Sequence, residues 1–120
     1  MTERDEAKRI ENLRAEEARR DEAALRYLLA DKNGRWFVYR MLERCHVFSV
    51  FSSTADGNAN RIIMMEGERR VGVELYENLR RLSVLDESGE CAKHRSLAEA
   101  EYFSFMARYT NGKEQENGGL

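Results

Sequence analysis

The chain holds two cysteines and two histidines, Cys45, His46, Cys91 and His94. Cys91-x-x-His94 has the spacing of one half of a tetrahedral zinc site. The adjacent pair Cys45-His46 makes a poor second half, because within a helix the two side chains diverge by about 100° around the axis. Cys45 also falls on an apolar helical face, where a free Cys packs as a small hydrophobe. A Cys–His nucleophile pair would need His94 brought to a thiol in space, and no strand–turn–helix frame is there to present one. Asp56, Asn58 and Asn60 alternate like calcium ligands, but Arg61 stands where such a loop needs Gly and Gly67 where it needs Glu. No phosphate-cradling Gly motif occurs, and no carboxylate pair has a setting that would raise its pKa. The residues point to a protein that is not an enzyme and carries no metal or other cofactor.

One cationic row remains. Arg69-Arg70 and Arg80-Arg81 recur after 11 residues, about three helical turns, and so share a side of one helix. Such a row can contact phosphates. Glu66, Glu68, Glu74 and Glu77 are interleaved with it and halve its field. The whole chain is mixed in charge, 35% Asp, Glu, Lys and Arg with a formal net charge of −2, whereas a duplex-DNA binder is more often basic. Nucleic acid is thus an alternative partner and not the favoured one.

The elements that carry these residues read as helices. There is no Pro among 120 residues, and helix interiors exclude it. Residues 2–30 predict a charged helix, with Thr2 and Asp5 as its start signal and Asp5–Arg9 and Glu16–Arg20 as pairs four apart. Before Ala23 its apolar residues are sparse, Ala7, Ile10, Leu13 and Ala18; from Ala24, Leu25, Leu28 and Leu29 make a full face. Residues 1–22 therefore read as an arm, fixed to a helical domain over 23–112, with Ile10 and Leu13 as its contact residues.

Asp31-Lys32-Asn33-Gly34 predicts a turn in which Gly supplies a left-handed cap. The organising stretch follows at 34–48: it contains Trp36, the only Trp, and places Phe37, Val38, Met41, Leu42 and Cys45 on one inward face. Residues 49–60 read as a loop with Val50 and Phe51 tucked back. Residues 61–85 form the longest periodic segment, with a stripe of Val71, Leu75, Leu79 and Leu82. Gly67 suggests a kink or break there and Gly72 a close backbone approach. After a polar connection, Ser96-Leu97-Ala98-Glu99 matches a capping box. It predicts a last helix over 97–110, stopped by Asn111-Gly112 and followed by a disordered tail over 113–120.

The compact part would then span only about 85 residues, near the size at which a small core needs help from a partner. The expectation is an all-α bundle of three or four helices with a projecting N-terminal helix, acting as a homo-oligomer. The N-terminus lacks the apolar core of a signal peptide, and no window approaches 18 apolar residues, so no membrane is expected.

Two blocks in order carry a resemblance. The first is Gly34, Arg35, Phe37, Leu42, Glu43, Cys45, Val47 and Phe48; the second is Glu66, Gly67, Arg69, Arg70, Val71, Gly72 and Leu75. Over residues 24–82, about half the chain, the sequence resembles a small tailed-phage structural-domain family named from a Bordetella podovirus. His46 departs from that pattern, which has a small residue there. The resemblance implies a bacteriophage structural or head-assembly component, without enzymatic activity or cofactor, found in the virion or the host cytoplasm and contacting other phage structural proteins. The alternative is a nucleic-acid-contacting accessory of genome packaging.

Overall fold

The computed structural model describes residues 2–48 and 59–118, with side chains through residue 111. The fold is all-α, with four helices among the described residues: α1 (Glu3–Ala30), α2 (Lys32–Arg44), α3 (Ala59–Leu85) and α4 (Glu90–Gly118). Val50, Phe51 and Asp56-Gly57-Asn58 lie outside the described residues.

α1 begins as its sequence dictates. The Thr2 hydroxyl accepts from the Asp5 amide at 3.2 Å and Asp5 accepts back from the Thr2 amide at 3.3 Å, a reciprocal capping box. Asp5 is therefore occupied, and Arg9 turns instead to Glu6 at 2.6 Å. Glu16 and Arg20 pair as expected at 3.1 Å.

Between α1 and α2 the turn is tighter than a left-handed cap. Asp31 stays extended and its carboxylate accepts from the Gly34 amide at 2.9 Å, capping α2. Gly34 lies in the first turn of α2, and a Cβ there would run into the Leu28 backbone. Gly is present for close approach, not for its φ.

The inward face of α2 is Gly34, Val38, Tyr39 and Leu42, while Phe37 and Met41 are exposed. The expected face is thus turned toward Tyr39, because α2 packs on α1 and α4 along that side. Tyr39 is fully buried, and its hydroxyl donates to Glu99 at 2.9 Å. Burial pushes its pKa well above the usual phenol range, and the nearby Glu99 carboxylate adds to the rise.

α3 runs unbroken through Gly67. Its stripe divides: Leu79 and Leu82 are buried, Leu75 is half-buried and Val71 is exposed. Gly72 is buried where α3 crosses the end of α2, and a Cβ there would come within 2.5 Å of both Cys45 Cβ and Val47 Cγ2. The close approach expected at this glycine is present.

α4 starts seven residues before the position its sequence suggested. Asp86 accepts from the Ser88 amide at 3.2 Å, the Ser88 hydroxyl at 2.8 Å and the Cys91 amide at 3.0 Å, while Gly89 adopts φ +76°. That cap begins the helix at Glu90. Ser96–Glu99 is consequently helix interior, with Ala98 in the core. The helix also continues past Asn111-Gly112 to Gly118, so most of the expected tail is α4. Neither Asn nor Gly forbids a helix as Pro would.

The core joins Leu29, Val38, Tyr39, Leu42, Leu79, Ala98 and Tyr102, drawing on every helix. It is narrow. The radius of gyration is 19.4 Å and the extents are 77 × 42 × 20 Å, against a radius of about 14 Å for a compact chain of this length.

Candidate functional site

α2 and α4 pack against each other across the core, and Trp36 faces the middle turns of α4. Its ring meets Tyr102 at 5.1 Å and Phe105 edge-on at 5.0 Å. These rings wall a groove of about 400 Å³ between the two helices, with Ala98 at its base. Trp36 remains 40% exposed. Lys32 and Arg108 line the same groove; Arg108 lies over the Phe105 ring at 5.3 Å.

The groove has an ordered wall. Arg35 is nearly buried; its Nε donates to Glu101 at 2.6 Å and its Nη1 to the Leu29 carbonyl at 3.0 Å. One guanidinium thus closes the C-terminal end of α1 and neutralises the acid that lines the groove. Lys32 and Arg108 have no ion-pair partner among the described residues, so the opening is electropositive.

The contact residues expected from sequence are dispersed. Ile10 and Leu13 lie on α1 beyond the core, 39% and 50% exposed. Arg69, Arg70, Arg80 and Arg81 are exposed along α3. Arg81 donates to Asn78 Oδ1 at 2.6 Å and shares a cleft with Asp21 and Glu22 of α1. Glu68, one of the acids interleaved with the row, reaches His46 Nε2 at 2.6 Å. Ile63, Met64 and Val71 are likewise exposed along α3.

Cys91 is buried at the start of α4, and burial, with a contact from its thiol to Asp86, pushes its pKa up. It is a packed thiol and not an activated one. Cys45 ends α2 against Gly72. Among the described residues no group of three or more His, Cys, Asp or Glu side chains is gathered as a metal site, and no helix is long and apolar enough to cross a membrane.

No family model, curated protein or solved structure matches the chain.

Sequence reasoning placed Trp36 in the organising stretch and Lys32 in a turn, and gave Lys32, Phe105 and Arg108 no part in a site. The readable signal was Phe105, Arg108 and Tyr109, spaced three and four apart on the last helix.

Proposed function

We propose that this chain is a non-enzymatic assembly protein that acts through helix-mediated protein–protein contacts, as a structural or head-assembly component of a bacteriophage. The observation that carries the reading is the distribution of large apolar side chains. Beyond a narrow core, Ile10 and Leu13, Trp36 and Phe105, and Ile63, Met64 and Val71 are left on the surface in separate patches. An apolar helical face such as Ile10 and Leu13, four helical positions or fewer apart, is of the kind that docks into a groove on another chain. The phage setting rests on the resemblance of the 34–48 and 66–75 blocks.

Two measurements test it. Mass spectrometry of purified particles should find the chain or its contact partner among the structural proteins. Deleting residues 2–20 should leave the helical circular dichroism of the remainder intact while lowering the mass read by light scattering or abolishing partner capture. Unchanged mass and unchanged capture would sink the reading. The packaging alternative separates by salt: a phosphate contact through Arg69, Arg70, Arg80 and Arg81 weakens steeply between 50 and 200 mM, by roughly 10³-fold when about six phosphates are engaged. An apolar helix contact holds.

A further inference from the structure

The groove and the arm are complementary. At 100° per residue, Glu6, Ile10, Leu13 and Glu17 fall within roughly 60° of one face of α1. Two apolar side chains are thus bracketed, a turn away on each side, by carboxylates. Glu3 and Asp21 lie at the edge of the same face, with Arg14 and Arg20 flanking it. Among the described residues Glu6 is paired with Arg9, in an exposed contact that solvent screens and that is readily exchanged. The groove offers the converse, aromatic walls under Lys32 and Arg108 with its own acid already neutralised by Arg35.

A chain cannot fill its own groove. α1 is unbroken to Ala30, and Leu29 packs in the core beside Ala98 and Tyr102. Ile10 is therefore held about 28 Å along the axis from that end. We propose that the Trp36–Phe105 groove of one protomer receives the Ile10/Leu13 face of α1 from a second copy, with carboxylates of that face meeting Lys32 and Arg108. This rests on the assembly reading and names its contact. Reciprocal exchange closes a two-fold dimer, while one-way exchange builds an open chain.

Trp36 is the only Trp and sits in the groove, so the intact chain carries its own probe. In a dilution series followed by light scattering and Trp emission, mass should fall and emission move to longer wavelength together. Ile10→Asp with Leu13→Asp changes exposed residues only. It should keep full helicity, weaken self-association roughly 100-fold and fix Trp36 emission at the dilute value. Glu6→Lys with Glu17→Lys should weaken association as well, and adding Lys32→Glu with Arg108→Glu should restore it. Self-association that survives the arm substitutions overturns this contact and leaves the assembly reading standing. A wild-type chain that stays monomeric with constant emission also overturns it; the assembly reading is then decided by the particle mass spectrometry.

Discussion

His46 sits at φ +63°, the one non-Gly residue in the left-handed region among those described. The cause is the end of α2. The Val47 amide donates to the Leu42 carbonyl at 3.1 Å and the His46 amide to Glu43 at 2.9 Å, the two bonds of a Schellman ending that needs a left-handed residue between them. A side chain there costs about 1–2 kcal/mol, while the exposed contact to Glu68 returns about 1 kcal/mol at most. His46→Gly should therefore raise Tm by a few degrees, about 4 °C or more per kcal/mol in a domain this size, and His46→Val should lower it. A residue without a Cβ would sit at this position free of that strain. Gly34 and Gly67 make a second contrast between single residues. Gly34→Ala must displace the Leu28 backbone and should destabilise by about 1–3 kcal/mol. Gly67 has open space around it, so Gly67→Ala should stabilise the helix by about 1 kcal/mol. Thermal melts of the two variants should move in opposite directions.

At the level of elements, the junction between α3 and α4 depends on one carboxylate. Hydrogen bonds from the Cys91 and Ser88 amides and the Ser88 hydroxyl hold the Asp86 carboxyl far below the usual carboxylate range. Its folded-state pKa is thus lower than its unfolded value near 3.9. The stabilisation it contributes is complete above about pH 4 and is lost as pH falls toward the folded value. Asp86→Asn should lower Tm at pH 7 and flatten the decline of Tm between pH 5 and pH 2, as followed by circular dichroism. This cap was illegible in the sequence because its acceptor lies five residues before the amide it satisfies, outside the Ser-x-x-Glu pattern. Ser96–Glu99 carried that pattern and was helix interior. Thr2 and Asp5, by contrast, formed the local motif their spacing announced. On α2, period alone placed Phe37 and Met41 inward and left Tyr39 out. Which side of a short apolar helix turns in depends on where its neighbours lie, and the partner of Tyr39, Glu99, is 60 residues away. Leu42→Ala should accordingly cost about 2–5 kcal/mol, since Leu42 is fully buried. Trp36→Ala should cost much less in stability, since Trp36 is 40% exposed. Urea titration of both variants checks the difference.

The whole molecule is long and thin. Its four-helix content and the exposed run of α1 were legible, because charge density without a sustained apolar stripe leaves a helix nothing within its own chain to lie against. The groove was not, since its walls come from residues nearly 70 positions apart that meet only when α2 and α4 cross. The 20 Å minimum extent is about two helix diameters, and it has a consequence for time as well as shape. In a body two helices deep, no helix is enclosed on all sides, and every backbone amide is at most one helix away from water. Opening free energies then range from near zero along the projecting segments to the global value beside the core. Amide hydrogens should thus trade for deuterium in a steep order, first along residues 3–17 of α1 and 59–68 of α3, and last around Leu29, Leu42, Leu79 and Tyr102. The parts of α1 and α3 that leave Ile10, Leu13, Ile63 and Met64 exposed are the ones expected to unwind most often, so a chain docking there would meet helices still being made and unmade.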